Sequence, residues 1–121
     1  MKETFLERAK ENIKAAELLF ENGLYNASAN RAYYAAFHIA IASIFASGII
    51  PNIDHKTVQT LFSDYFFNKR KILPSNYKRY LKDLQDKRNI ADYKTGVSKK
   101  TAKNQLNDAK EFVELILGVI T

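Results

Sequence analysis

A nearly uninterrupted apolar segment from about Leu24 to Ser47 constrains this chain more than any other feature of its sequence. Its apolar and aromatic side chains cover almost the whole circumference of a helix instead of one stripe. A helix of this kind has to be covered by other helices on most sides, and its many alanines allow those neighbours to approach closely. The segment therefore predicts the central helix of a bundle.

Helical periodicity in the rest of the chain predicts four more helices. The first runs from about Glu3 to Asn22, and the third carries apolar residues as far as Phe66. The expected N-cap residues of the third, fourth and fifth helices are Asp54, Ser75 or Asn76, and Ser98. No β-type alternation of any length occurs. We predict an all-α fold, an antiparallel up-and-down bundle of four to five helices.

The size and composition of the chain narrow its class. Its 121 residues and 13.9 kDa predict one domain over residues 1–121. The sequence contains no cysteine, which fits a reducing cytosol, and it shows neither a signal peptide nor a segment that could span a membrane. We therefore expect a cytoplasmic protein. With two histidines, no cysteine and no phosphate-binding glycine loop, we expect neither a metal nor another cofactor.

Positive charge is concentrated in one part of the chain. The net charge is +6, and residues 69–103 hold twelve basic but only three acidic residues. Such an excess favours a polyanionic partner, most often a nucleic acid, although a lysine-rich solubilising face would look the same. The basic residues that we expect to guide a polyanion are Lys69, Arg70, Lys71, Arg79 and Lys87.

Two polar residues interrupt the apolar central helix. Arg31 and His38 are seven residues apart, so they share one face of that helix. An unpaired buried guanidinium is costly, so Arg31 must find a partner or reach solvent. Either the two residues are structural, as an ion pair and a satisfied core histidine, or they form one wall of a binding cleft.

The predicted fourth helix also places a charge on its buried stripe. Counting inward positions from its leucines leads to Arg88, with Asp92 one turn later and Tyr93 beside it. An i, i+4 salt bridge explains the pair structurally. An arginine that Asp92 does not fully use would be available to a phosphate. A third polar residue, His55, follows the expected cap Asp54, and its role stays open.

Residues 29–38 read Ala-Asn-Arg-Ala-Tyr-Tyr-Ala-Ala-Phe-His, and this run resembles the HEPN (higher eukaryote and prokaryote nucleotide-binding) domains. The chain looks most like the small stand-alone prokaryotic branch of that family. The likeness continues through His55, Arg88 and the Ala-Asp-Tyr at 91–93 to the end of the chain. The resemblance implies a helical bundle that forms a homodimer, often beside a minimal nucleotidyltransferase in a toxin–antitoxin pair.

Many proteins of that family are metal-independent endoribonucleases in which an arginine is followed, four to six residues later, by a histidine. Arg88 matches the arginine, but positions 92 to 95 read Asp-Tyr-Lys-Thr, so the histidine is missing. We therefore take Arg88, Asp92, Tyr93 and His38 as candidate catalytic residues and Arg31 as a further phosphate ligand. His38 or His55 would replace the missing base if the fold brings it to Arg88.

Three functions follow from this interpretation. The first is a homodimer that binds RNA or a nucleotide phosphate and cleaves RNA, as the toxin-like partner of a nucleotidyltransferase. The second is a binding module for RNA or nucleotide without nuclease activity. The third is a subunit that only contacts other proteins, in which Arg88 and Asp92 form a closed structural pair.

Overall fold

The computed structural model describes residues 1–69 and 73–121, apart from the side chain of Lys69. Within these residues it contains five α-helices and no β-strand. The helices are α1 (Lys2–Glu21), α2 (Tyr25–Ala46), α3 (His55–Ser63), α4 (Tyr80–Tyr93) and α5 (Lys99–Ile120). The predicted all-α fold is confirmed.

Helices α1 and α2 form an antiparallel hairpin. Phe20 near the end of α1 lies 5.4 Å, between ring centroids, from Tyr25 at the start of α2. At the other end of the pair, Phe5 stacks on Phe45 at 5.9 Å. The turn between the helices contains Gly23 at φ 75°, a conformation that side chains other than glycine adopt only with strain.

Helices α4 and α5 also run antiparallel. Near the start of α4, the Tyr80 hydroxyl donates to a carboxylate oxygen of Glu111, in the second half of α5. Further along α4, the Leu84 carbonyl accepts a 2.7 Å hydrogen bond from Nε2 of Gln105, in the first half of α5. The short helix α3 lies between α2 and α4 in the chain. It packs against α2, where the rings of His55 and Phe37 lie 4.7 Å apart, and it places Val58 and Phe62 in the core.

Helix α2 is the centre of the bundle, as its composition predicts. Thirteen of its residues are buried, and they are contacted by apolar side chains from the other four helices. Most are small or apolar, so that neighbouring helices approach closely; the large ones include Tyr33, Phe37, Ile39, Ile41 and Ile44. Burial of each large apolar side chain contributes about 1.5–3 kcal/mol to folding.

Two of the predicted helix caps are confirmed. The Asp54 carboxylate accepts from the Thr57 backbone N–H at 2.8 Å, and the Ser98 hydroxyl accepts from the Thr101 N–H at 3.1 Å. Each bond satisfies a donor that the first helical turn leaves without a partner. At Asp54 the cap also fixes where His55 enters the fold.

The start of α4 and the end of α3 differ from the prediction. Neither Ser75 nor Asn76 caps α4: the segment Ser75–Tyr77 is a 3₁₀ turn after Pro74, and the α-helix begins only at Tyr80. Tertiary contacts explain the delay, since the rings of Tyr77 and Tyr80 pack at 4.8 Å and both hydroxyls donate to Glu111. The α-helical part of α3 ends at Ser63, and residues 64–69 continue as a π-helical turn.

In the part of the chain that the structure describes, no helix combines the length and the apolar character needed to cross a bilayer.

Candidate functional site

Arg88 is the buried cation around which the candidate site is built. Its position on the inner stripe of α4 leaves it only 6% exposed, as the spacing of the leucines predicts. Three tyrosine rings surround its guanidinium carbon, with the centroids of Tyr33 and Tyr34 at 5.3 Å and that of Tyr93 at 5.9 Å. Such contacts stabilise a cation that has lost part of its water shell.

The polar contacts of Arg88 are long. Its NH1 lies 3.6 Å from Oδ2 of Asp92 and 3.5 Å from the Tyr93 hydroxyl, and its NH2 lies 3.4 Å from Nε2 of His55. The Nε atom is buried and has no hydrogen-bond partner within the described residues. Since good N–H···O bonds are 2.7–3.2 Å long, these residues hold the guanidinium without fully satisfying its donors.

His55 is the histidine that the fold brings to Arg88. Its Nδ1 lies 2.5 Å from the Tyr33 hydroxyl, and an arginine can only donate, so its Nε2 accepts from Arg88. This arrangement requires a neutral imidazole. Burial and then the Arg88 charge lower the pKa of His55, against a smaller opposite effect of Asp54. The imidazole is therefore neutral at pH 7, with its lone pair directed at the cation.

Asp92 is held from the other side by the central helix. Nδ2 of Asn30 donates to Oδ2 of Asp92 at 2.7 Å. Nε and NH2 of Arg31 both donate to Oδ1 of Asn30, at 2.8 and 2.6 Å. Because Arg31 can only donate, these bonds fix the orientation of the Asn30 amide and turn its nitrogen towards the carboxylate.

His38 lies at the far end of the same polar network. Oδ1 of Asn12 accepts from NH1 of Arg31 at 3.2 Å, which leaves Nδ2 of Asn12 to donate to Nδ1 of His38 at 3.0 Å. Burial, followed by the charges of Arg8 and Arg31, lowers the pKa of His38 to about 4. His38 is therefore a neutral imidazole whose Nδ1 already accepts a hydrogen bond from Asn12.

The structure thus brings some of the predicted site residues together and separates others. Arg88, Asp92 and Tyr93 form one cluster, Arg31 reaches it through Asn30, and His38 is one contact further away through Asn12. Lys87 is exposed on α4, and Arg79 is exposed directly before that helix. Arg70, Lys71 and the side chain of Lys69 lie outside the described residues.

Sequence reasoning did not find three of the residues that shape the site. Asn12 lies on the buried face of α1 among alanines, a polar residue at a core position that could have drawn attention. The only sequence signal at Asn30 is its position next to Arg31. Tyr33 belongs to the apolar run of α2, and nothing local indicates that its hydroxyl meets His55.

In residues 1–69 and 73–121, no three His, Cys, Asp or Glu side chains come together as a metal-binding group would. The polar groups of this cluster are instead the Arg88 guanidinium itself and its neighbours. The neighbours are the His55 imidazole, the Asp92 carboxylate and the phenols of Tyr33 and Tyr93. Of these groups, the guanidinium and the Tyr93 hydroxyl can donate to an anion with several oxygens, such as a phosphate, whereas the carboxylate only accepts.

A model of the HEPN domain family matches residues 2–119, almost the entire chain. The chain belongs to the HEPN domain family. The resemblance carried by residues 29–38 and by the Arg88 region is thereby confirmed, and the bundle described above is the fold expected of this family.

Three relatives agree with this assignment. A protein of Methanocaldococcus jannaschii named "Putative toxin" is 36% identical over 115 residues, which cover 94% of this chain and 84% of that protein. A UPF0332 protein of Gloeobacter violaceus is 31% identical over 73% of this chain and 68% of its own length. A UPF0332 protein of Pyrococcus horikoshii is 35% identical over 65% of this chain and 54% of its own length.

Proposed function

We propose that this HEPN protein is a cytoplasmic, toxin-like endoribonuclease that binds RNA phosphate through Arg88 and uses His55 as its base, without a metal ion. One observation carries the proposal: NH2 of the buried Arg88 lies 3.4 Å from Nε2 of a neutral His55. Metal-free RNA cleavage needs a base for the 2′-hydroxyl proton and a cation for the charge that develops on the phosphate. These two groups are adjacent here.

The proposed reaction uses the long contacts of Arg88. A phosphate draws the under-satisfied guanidinium into shorter, charge-assisted hydrogen bonds, which frees the lone pair on Nε2 of His55. The imidazole then takes the 2′-hydroxyl proton while the 2′-oxygen attacks phosphorus. The bond from phosphorus to the 5′-oxygen breaks, and water protonates that oxygen. The exposed Tyr93 hydroxyl, 3.5 Å from NH1 of Arg88, donates to a phosphate oxygen.

The proposal includes a homodimer. The loop before His55 exposes three isoleucines, of which Ile50 is 84% exposed, and a second copy of the chain would cover them beside the site. The family resemblance implies the same pairing, with both protomers contributing to one cleft. Sedimentation equilibrium should give a mass of twice 13.9 kDa, whereas a monomer at micromolar concentration would contradict this part of the proposal.

A minimal nucleotidyltransferase is the proposed antitoxin partner. The support is the family resemblance, together with the relative from M. jannaschii that carries the word toxin in its name. Expression of the chain alone should slow bacterial growth, and co-expression with a nucleotidyltransferase encoded beside it should restore growth and yield a complex on purification. Unchanged growth both with the chain alone and with the nucleotidyltransferase would contradict a role as a toxin.

The nuclease itself is tested with purified protein and a fluorescent single-stranded RNA in excess EDTA. The wild-type chain should cleave it, and Arg88→Ala should lower the rate by about 10²–10³-fold, the usual loss when one charge-stabilising group is removed. Arg88→Lys, which keeps the charge but not the planar fork, should lie in between.

The outcome also separates the alternatives. RNA binding without cleavage at high protein concentration would support a non-catalytic binding module. If neither the wild type nor Arg88→Ala binds RNA, Arg88 and Asp92 are a structural pair, and a subunit that contacts only proteins becomes the better interpretation.

A further inference from the structure

A basic cavity lies between α3 and α4, beyond the Arg88 cluster. Its volume is about 530 Å³, and the part formed by the end of α3 contributes Thr60 and Ser63. Lys78, Arg79 and Lys82 line the opposite side. Arg79 was predicted to guide a polyanion, but Lys78, Lys82 and the two hydroxyl residues were not connected with any function by their sequence pattern.

The cavity and the Arg88 cluster lie along the same pair of helices, α3 and α4, and we call the surface of this pair that joins them the groove. His55 at the start of α3 contacts Arg88 late in α4, and Nε2 of Gln59, one turn further, donates to Oε1 of Gln85 at 2.5 Å. These two contacts show that α3 and α4 run antiparallel. Gln59 also lines the cavity, so the groove passes from His55 over the Gln59–Gln85 contact to Lys82.

The charges of the cavity favour an anion. Three cations line it against one carboxylate, that of Asp64, and this carboxylate already accepts from Nδ2 of Asn68 at 3.0 Å. The partners of the cations are all exposed: Arg79 lies 3.9 Å from Asp83 and Lys82 lies 3.0 Å from Asp86, both as i, i+4 pairs. The ammonium group of Lys78 donates to Oδ1 of Asn68 at 3.2 Å. Exposed i, i+4 pairs contribute about 0.3–0.5 kcal/mol and do not compete strongly with a phosphate.

We infer that this groove is a binding track for single-stranded RNA, in which the cavity holds the phosphates next to the one at Arg88. Lys82 lies six residues before Arg88 on α4, a separation of about 9 Å along the helix axis. The two therefore address different phosphates of one strand. The hydroxyl groups of Thr60 and Ser63 and the Gln59 amide add neutral donors and acceptors for sugar and base. This inference rests on the proposed function and names the form of its substrate.

The test compares a short and a long oligoribonucleotide by fluorescence anisotropy. In the triple variant Lys78→Ala, Arg79→Ala, Lys82→Ala, an eight-nucleotide RNA should lose affinity by about 25- to 100-fold at 0.1 M salt, the loss expected for two or three phosphate contacts. The salt slope should become shallower by about 1.4–2. Binding of a dinucleotide, which reaches only the Arg88 cluster, should change by less than about threefold.

A matched control removes the same charge elsewhere. The triple variant Lys99→Ala, Lys100→Ala, Lys103→Ala changes exposed residues at the start of α5, whereas the cavity faces the start of α4, beside the second half of α5. This control variant should bind both the eight-nucleotide RNA and the dinucleotide nearly as the wild type does. An equal loss in this control would mean that the lysines act only as a general basic surface, and that result overturns the track.

The outcomes separate the two proposals. If the groove variant binds the eight-nucleotide RNA like the wild type while Arg88→Ala loses binding, the track is wrong and the proposed function stands. If the groove variant loses binding while Arg88→Ala binds and cleaves RNA as the wild type does, the proposed function of Arg88 is contradicted. An absence of RNA binding by the wild-type chain overturns both.

Discussion

The two histidines of the chain sit in contrasting environments on either flank of the same tyrosine. The rings of His38 and His55 each lie 6.1 Å from that of Tyr34. Nδ1 of His38 accepts a hydrogen bond from the amide of the buried Asn12, whereas Nε2 of His55 accepts from the guanidinium of Arg88. Burial lowers the pKa of both, so both are neutral near pH 7.

The difference between them lies in what a substrate can displace. The hydrogen bond of His38 belongs to a network within the protein, closed by Asn12 and Arg31. The partner of His55 is a cation whose contacts are long and whose Nε is unsatisfied, so in the proposed function a phosphate would bind Arg88 and release His55. A proton acceptor next to a cation with unsatisfied donors suits the proposed catalysis, and one fixed by an amide suits a structural role.

The largest expected effect separates the two histidines directly. His55→Ala should lower the rate of RNA cleavage by about 10²–10⁴-fold, the contribution of a general base. His38→Ala should lower the cleavage rate at least tenfold less than His55→Ala does, because no contact joins the His38 ring to Arg88 among the described residues. Single-turnover cleavage assays on both variants, with melting curves to check folding, make the comparison. The reverse order would make His38 the base.

An intermediate effect concerns the network around His38. Asn12→Ala removes one partner of Arg31 and the Nδ1 partner of His38, and leaving these half-buried polar atoms unpaired should lower the free energy of unfolding by about 1–3 kcal/mol. Urea denaturation followed by circular dichroism measures it. Asn107→Ala, at an exposed position of α5, is the control and should change stability by less than about 0.5 kcal/mol. Equal stability of the two variants would contradict a structural role for Asn12.

The smallest expected effect is a pH dependence of stability. Because the folded pKa of His38, about 4, lies below the usual 6.5, the unfolded chain takes up a proton first as the pH falls. The contribution of neutral His38 to stability is present above pH 6.5 and is lost between 6.5 and 4. The melting temperature of the wild type should therefore fall more over this range than that of His38→Gln, by a few degrees. Parallel curves would show that the imidazole does not resist protonation.

Most of the fold could be predicted from the sequence, because its determinants are periodic and local. The apolar circumference of α2 determined that it would be central, and the spacing after Leu81 and Leu84 placed Arg88 on the buried side of α4. The start of α4 could not be predicted in this way. Contacts of Tyr77 and Tyr80 with Glu111, more than thirty residues away in the chain, override the local preference of Ser75 for a cap.

The candidate site divides in the same manner. The sequence by itself determined that Arg88, Asp92 and Tyr93 share one helical end, since a helix brings residues four positions apart together and Tyr93 follows Asp92 directly. Only the tertiary structure decided which histidine meets the arginine. His55 and Arg88 are 33 residues apart, and their contact depends on how α3 packs between α2 and α4. Periodicity assigns a residue to a face, but the distance between two faces is set by packing.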